Sequence, residues 1–141
     1  MSEREHRFYF SSDFSTQDRV SGSFTINLPF VLNFEGEWKC AVLDFFIRSD
    51  NSDIYTSQFV YILADFCETS IILQTKEIPI LRKVHLNASV QYYDFANPLY
   101  IRLKQNSLTD FELVFLDSSL LPLTLTKPSK IECMLHFIKD E

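Results

Sequence analysis

The amino-acid sequence predicts an all-β fold, a single jelly-roll β-sandwich in which two four-stranded antiparallel sheets pack face to face. Apolar runs of strand length, rich in Phe, Ile, Val and Tyr, recur from one end of the chain to the other. Clusters of Asp, Asn, Ser and Pro, which favour turns, separate these runs. No long stretch shows the apolar periodicity of an amphipathic helix. The runs make roughly eight to ten strands, which suits a jelly roll, with an up-and-down barrel as the main alternative.

Length and composition indicate one folded domain. The chain has 141 residues, of which 46% are hydrophobic and 15% aromatic. This composition excludes intrinsic disorder, and the length allows a core without disulfides. No linker, repeat or low-complexity tract divides the sequence. We therefore expect a single jelly-roll domain over residues 1–141, in which the polar residues 1–6 form a flexible N-terminus.

Two strands are predicted near the N-terminus. Residues 7–10 form a short apolar segment. Residues 23–30 alternate apolar and polar side chains, as in a strand with one buried face. Pro29 limits this strand because proline has no N–H to donate to a neighbour. A turn at residues 35–37 then leads into the longest apolar stretch.

Residues 38–48 form the strongest predicted strand, and apolar side chains occupy both of its faces. Strict alternation places Trp38, Cys40 and Val42 on one face and Ala41, Leu43, Phe45 and Ile47 on the other. Two apolar faces are typical of a central strand covered on both sides, or of a strand with one face against another subunit. Trp38 and the Phe45/Ile47 row are expected in or beside the core between the sheets.

The remaining predicted strands are shorter, and polar turns separate them. Pro79 favours an edge position or the start of a strand. Two successive hairpins are expected to close the chain. The predicted strands cover residues 59–67, 71–73, 78–84, 90–93, 99–103, 111–116, 121–125 and 131–138.

The charge balance argues against nucleic acid and membranes as partners. The chain carries 13 Lys and Arg against 19 Asp and Glu, a formal net charge of −6. Nucleic-acid-binding domains need a basic surface to neutralise phosphates, and polybasic membrane docking needs one as well. The tightest basic groups, Arg82-Lys83 and Arg102 with Lys104, are more typical of solvated strand faces. No run is long enough to predict a transmembrane helix.

The N-terminus and the cysteines both indicate an intracellular protein. The first seven residues are polar and no apolar core follows them, so a signal peptide is not expected. Cys40, Cys67 and Cys133 lie inside apolar runs. An odd number of cysteines without a secretion signal predicts reduced, buried thiols. The protein is therefore expected to be made and kept inside a cell until something releases it.

Cys133 and His136 have a spacing found in zinc sites, but the pattern does not support one. Residues three apart in a strand point to opposite faces. The pair would also supply two ligands where a structural zinc site needs four. The sequence therefore predicts no bound metal, and a buried thiol beside a strand histidine is the favoured interpretation.

No catalytic constellation or cofactor site is predicted either. Pairing Cys40 or Cys67 with His6 or His85 would require an electropositive, partly exposed thiol, whereas these cysteines lie in apolar runs. The carboxylates are dispersed, although a β-sandwich glycosidase can take its pair from distant strands. The two glycines are isolated, which excludes a glycine-rich phosphate loop. The chain is expected not to be an enzyme.

Tyr92, Tyr93 and Phe95 form an aromatic cluster that is our candidate subunit interface. Such residues can stack on bases or sugars, but without nearby basic residues they more often pack in a core or at a protein interface. Asp94 and Asn97 would then form a polar rim. The alternative, in which the three rings simply fill the sandwich, is equally compatible with the sequence.

Several short motifs follow one another along nearly the whole chain. They are Phe8-Tyr9, Phe24-Thr25-Ile26-Asn27-Leu28-Pro29, Gly36-Glu37-Trp38, Tyr61-Ile62-Leu63-Ala64-Asp65-Phe66, Pro79-Ile80-Leu81-Arg82, Pro98-Leu99-Tyr100, Phe111-Glu112-Leu113 and Leu135-His136-Phe137. In this order they resemble the single-jelly-roll minor capsid, or penton, proteins of Polintons (Mavericks) and adintoviruses. Two departures from the family pattern indicate a divergent member and are compatible with an endogenised one. The turn at residues 117–120 lacks the glycine usual in the family, and Thr75-Lys76-Glu77 stands where a glycine is common before the proline–leucine–arginine stretch.

The resemblance implies a homopentamer that fills the fivefold vertices of an icosahedral shell and contacts the major capsid protein. It also implies a location in the virion. The residues by themselves leave two other functions open. One is a non-viral β-sandwich module for protein interaction, which would bind through a sheet edge or an aromatic patch. The other is a small-ligand or carbohydrate-binding β-domain.

Overall fold

The computed structural model describes residues 4–12, 22–48, 59–68, 71–73, 76–123 and 129–139. This part of the chain forms eleven β-strands and no α-helix, as the sequence predicts. The strands are β1 (Glu5–Ser11), β2 (Ser23–Asn33), β3 (Trp38–Arg48), β4 (Phe59–Ala64), β5 (Ile71–Leu73), β6 (Lys76–Ile78), β7 (Ile80–His85), β8 (Val90–Asp94), β9 (Ile101–Arg102), β10 (Ser107–Leu116) and β11 (Lys130–Lys139).

The strands form two antiparallel sheets and a small ribbon. The first sheet has the order β1-β11-β3-β8, with β9 also paired to β3, and the second has the order β2-β10-β4-β7. β5 and β6 pair only with each other among the described strands. Successive strands β1 to β4 alternate between the two sheets, and β8, β10 and β11 do so again. This connectivity is that of a jelly roll.

The first sheet has five strands instead of the predicted four because one edge strand is interrupted. β8 pairs with residues 44–48 of β3, whereas β9 pairs with Lys39 and Cys40. Residues 96–100 leave the ladder between these two pieces. Pro98 lies in this segment, and its missing N–H favours the interruption. The edge of the sheet therefore carries a projecting segment in its middle.

A β-bulge in β3 changes which side chains share a face. Val42 and Asp44 pair with consecutive residues of β11, so Leu43 is an extra residue. An extra residue reverses the alternation beyond it. As a result Trp38, Cys40, Val42, Phe45 and Ile47 all belong to one buried core. The expected burial of Trp38, Phe45 and Ile47 is confirmed, but the assignment of these residues to opposite faces was wrong.

Aromatic rings fill much of the space between the sheets. Phe111 of β10 makes edge contacts with Phe8 and with Phe66, both at 5.2 Å between ring centroids. Phe66 also lies 5.3 Å from Phe137 of β11. Contacts of this kind add about 0.5–1.5 kcal/mol each beyond the area they bury. The phenylalanine-rich composition thus has a structural explanation in the core.

The N-terminus enters the sheet earlier than the sequence suggests. β1 begins at Glu5, which pairs with Ile138, and the His6 ring stacks on Trp38 at 5.6 Å. Glu5 and His6 therefore belong to β1, so the flexible N-terminus expected over residues 1–6 is wrong for these two residues, and residues 1–3 lie outside the described residues. The pattern is misleading because the inward-facing position nearest the chain end is occupied by a histidine, a polar residue.

The turn after β10 takes an unusual backbone conformation. Leu120 has a φ of 64°, in the left-handed region that favours glycine. The Asp117 carboxylate supports the turn by accepting the N–H groups of Ser119 at 2.8 Å and Leu121 at 3.0 Å. Beyond the turn, Pro122 forms a single bridge with Leu116, and residues 124 and 125 of the predicted strand lie outside the described residues.

Candidate assembly surfaces

Cys133 and His136 are not brought together. Cys133 is buried in the core, while His136 lies on the opposite face of β11, as the strand geometry predicts. No group of three or more His, Cys, Asp or Glu side chains that could hold a metal ion occurs among the described residues. The spacing of this pair therefore does not create a metal site in the described structure.

His136 instead connects three elements on the outer face of the five-stranded sheet. Its Nε2 atom lies 2.9 Å from an oxygen of Glu5 on β1. Its Nδ1 atom lies 2.8 Å from the hydroxyl of Tyr100, just before β9. With Nε2–H donating to Glu5, Nδ1 accepts the hydroxyl proton of Tyr100. The bond from His136 lowers the pKa of Glu5. No motif in the sequence indicates this chain of contacts.

The three thiols are poorly suited to nucleophilic chemistry. Cys40, Cys67 and Cys133 are buried and unpaired, as expected. Loss of solvation on burial raises the pKa of all three thiols well above the ordinary value. A reactive cysteine needs the opposite, a lowered pKa and access to solvent. These side chains act as small core residues.

The predicted aromatic cluster is divided between the two faces of β8. Tyr92 is 61% exposed on the outer face of the five-stranded sheet, whereas Tyr93 and Phe95 pack against the core. The rings of Tyr93 and Phe95 are parallel, 5.9 Å apart. Tyr93 also donates its hydroxyl to the carbonyl of His85 at 2.7 Å. Neighbouring strand residues point to opposite sides, so the three rings cannot form one surface.

Tyr92 lies beside a group of carboxylates on the same outer face. Asp44 of β3 pairs directly with Asp94 of β8. One Asp44 oxygen accepts the N–H of Met134 at 3.0 Å. Desolvation raises the pKa of Asp44, and the negative charges of Asp94 and Glu132 raise it further. Asp94, which the sequence places in a polar rim, thus destabilises the ionised form of Asp44.

Replacing Asp44 with asparagine is expected to stabilise the protein at neutral pH. A carboxyl group whose pKa is higher in the folded than in the unfolded protein stabilises the folded state at pH values below its unfolded pKa, near 4. This stabilisation is lost as the pH rises through the pKa of the folded protein. Asparagine keeps an oxygen for the Met134 N–H but carries no charge. Thermal unfolding should therefore show a higher melting temperature for Asp44→Asn at pH 7.5, and this advantage should shrink towards pH 4.

Asp110→Asn is the matched control for this measurement, because it removes one negative charge from an exposed position on the other sheet. An equal gain in both variants at pH 7.5 would point to net charge instead of the local cluster. A loss of stability in Asp44→Asn at neutral pH would contradict the prediction.

An irregular bulge makes part of β2 project from the sandwich. Asn27 pairs with Asp110 and Leu32 pairs with Leu108, so residues 28–31 of β2 oppose Thr109 alone. β2 is the edge strand of its sheet. Phe30 is 61% exposed and Val31 is 50% exposed. We call residues 28–31 the β2 bulge. Its exposed aromatic side chain is not evident from the sequence, which indicates a regular strand.

An open cleft lies at the opposite edge of the four-stranded sheet. Residues 80–83 of β7 and residues 99–101 line it, and its volume is about 440 Å³. We call this feature the β7–β9 cleft. Arg82 closes one part of it by lying 3.9 Å above the Phe95 ring and donating to the carbonyl of Asn97 at 3.2 Å. Leu99 is 56% exposed at the cleft.

The comparisons with known proteins support the fold. No protein-family model matches the chain, and no curated protein sequence matches it. Among solved structures, the chain is similar to the crystal structure of the mavirus penton protein, with a TM-score of 0.70 at 8% sequence identity. The alignment covers 95% of this chain and 99% of that one. The jelly-roll fold implied by the sequence resemblance to penton proteins is therefore confirmed.

None of the described residues belongs to a helix long and apolar enough to cross a membrane.

Proposed function

We propose that this chain is a structural capsid protein, a penton-like vertex subunit of an icosahedral particle of the Polinton/adintovirus type. The observation that carries the proposal is the end-to-end likeness to the mavirus penton protein. A fold by itself hosts many functions. The likeness gains weight from its coverage, since it leaves almost no part of either chain unmatched.

The distribution of exposed apolar side chains supports a subunit that touches several neighbours. In a cyclic ring, one surface of each subunit meets a different surface of the next subunit. A ring that sits in a shell needs a third surface on each subunit, which contacts the surrounding shell protein. Single exposed apolar residues are ordinary, but Phe30 and Val31 are adjacent on an edge strand. Among the residues that the structure describes, the large exposed apolar ones are Tyr9, Phe30, Val31, Val90, Tyr92, Leu99 and Leu121.

The proposed partners are further copies of this chain, in a homopentamer, and the major capsid protein of the same element. The proposed location is the virion, after synthesis inside the host cell. Nucleic acid and membrane are not among the proposed partners, in keeping with the net charge of −6. The proposed role is not enzymatic. Tyr92, Tyr93 and Phe95 stay the interface residues proposed from the sequence, and Tyr92 is the one with an exposed ring.

Mass measurement of the purified protein tests the proposal. Native mass spectrometry and light scattering at tens of micromolar should give a closed oligomer, with five times the 16.6 kDa subunit mass as the expected value. Negative-stain images should show rings. A monomer at these concentrations would contradict self-assembly into a vertex and would favour the interaction-module hypothesis. An open series of masses without a preferred size would argue against a closed ring.

A further inference from the structure

We propose that the β2 bulge of one subunit inserts Phe30 into the β7–β9 cleft of a second copy of this chain. This inference rests on the proposed function and specifies the contact that would build the ring. The two surfaces lie on the opposite edge strands, β2 and β7, of one four-stranded sheet. Each subunit can therefore use both at once, one towards each neighbour.

The edges themselves are poorly suited to joining by strand addition. On β2, Pro29 lacks an N–H and the bulge interrupts the regular row of backbone groups. On β7, Arg82 pairs with Ile62, a core residue of β4, so its side chain starts on the inward face of the edge strand. Bulges and inward-pointing charges at sheet edges prevent pairing between edges. Contacts through side chains are the remaining way for these two edges to meet.

The shapes and apolar character of the two surfaces match. Phe30 and Val31 project from one edge, and at the other edge the exposed Leu99 borders a cleft whose lining includes the buried Ile80 and Leu81. Leu99 has more than half of its surface exposed in the isolated chain. An aromatic anchor that enters an apolar pocket is the usual energetic centre of a protein interface. Burying Phe30 and Val31 against Leu99 would remove apolar surface from water on both subunits.

The charges also match. Arg82 and Lys83 line the cleft, and no carboxylate does so among the described residues. The exposed Asp110 lies beside the β2 bulge, because it pairs with Asn27, the residue of β2 that comes directly before the bulge. Contact between the bulge and the cleft brings the carboxylate towards the two cations, whereas contact between two clefts would bring like charges together. The charges therefore favour the contact between bulge and cleft. Because the bulge and the cleft are different surfaces, their contact is heterologous and propagates around a ring.

Two substitutions of equally exposed apolar residues test the contact. Phe30→Lys should convert the oligomer to a folded 16.6 kDa monomer, because it removes the aromatic anchor and places an ammonium group beside Arg82 and Lys83 of the cleft. Leu121→Lys is the matched control, since Leu121 is also 61% exposed but belongs to neither the β2 bulge nor the β7–β9 cleft. It should leave the oligomer intact. An oligomer that survives Phe30→Lys, or one that Leu121→Lys dissociates while Phe30→Lys does not, would overturn the inference.

Disulfide trapping tests the same contact even where Phe30→Lys fails to fold. Under mild oxidation, the Phe30→Cys variant mixed with the Leu99→Cys variant should give covalent dimers, and the double variant should give a ladder up to the closed ring. The native thiols are buried, so the parent protein should remain uncross-linked. Rings without trapped dimers in the mixture would refute the contact while keeping the vertex function. Absence of any oligomer in the parent would refute the vertex function itself.

Discussion

Replacing Trp38 with alanine is expected to lower the free energy of unfolding by about 3–5 kcal/mol, the usual range for a buried large aromatic residue. Trp38 is 4% exposed and begins β3, an interior strand of the five-stranded sheet. Its ring lies 5.6 Å from His6 and 5.1 Å from Phe34. Its indole N–H donates to the carbonyl of Glu35 at 2.9 Å. The substitution removes all of these contacts and leaves a cavity.

Urea unfolding followed by circular dichroism is the appropriate measurement, because Trp38 is the only tryptophan and its fluorescence disappears with it. Tyr92→Ala is a suitable control, since it truncates an exposed aromatic residue and should cost far less. Trp38→Phe should lie between the parent and the alanine variant, as it keeps part of the ring contacts. An alanine variant with the same urea midpoint as the parent would show that Trp38 is not a core residue.

The sequence predicts most of the strands because alternation of apolar and polar side chains is a local property. β11 illustrates this: Ile131, Cys133, Leu135 and Phe137 are all fully buried, at every second position. β4 shows the same alternation, with Val60, Ile62 and Ala64 in the core. Patterns of this kind are visible in one strand without knowledge of its neighbours.

The departures come from features that depend on the partner strand. Leu43 is an extra residue only relative to β11, and the β2 bulge exists only relative to β10. Each changes which side chains face the core or solvent. In β3 the bulge brings Phe45 and Ile47 of the apparent second face into the same core as Trp38, so their apolar character gives no indication of a subunit contact. A single sequence does not contain the register that reveals these insertions.

The candidate surfaces were the least predictable part because they join distant segments. The β7–β9 cleft combines residues on either side of β8, and the contacts of His136 join both ends of the chain. Tyr92, Tyr93 and Phe95 are close in sequence, but the strand separates Tyr92 from the other two. Residues that are close along the chain therefore need not share a surface. The bulge and the cleft are instead defined by the positions of β2 and β7 at the two edges of the four-stranded sheet.

Replacing Gly22 with alanine is expected to destabilise the protein by about 2–5 kcal/mol, from backbone strain together with overpacking. Gly22 has a φ of 67°, which disfavours any side chain. A Cβ atom there would lie 2.7 Å from the carbonyl oxygen of Leu123 and 3.0 Å from that of Phe115. Both are backbone atoms, so they cannot move by a side-chain rotation. The Gly22 carbonyl also accepts the N–H of Phe115 at 2.9 Å, which fixes the strand in place.

Gly36→Ala separates the two causes of this loss. Gly36 also has a positive φ, 87°, but a Cβ there would meet the flexible end of Lys139, at 3.1 Å from Cε. Lys139 can rotate away, so Gly36→Ala should cost only the backbone strain, about 1–2 kcal/mol. Urea unfolding of both variants should therefore show a clearly larger loss for Gly22→Ala. Equal losses would mean that positive φ alone determines the cost, and no loss at Gly22 would contradict the close approach of β2 to Phe115 and Leu123.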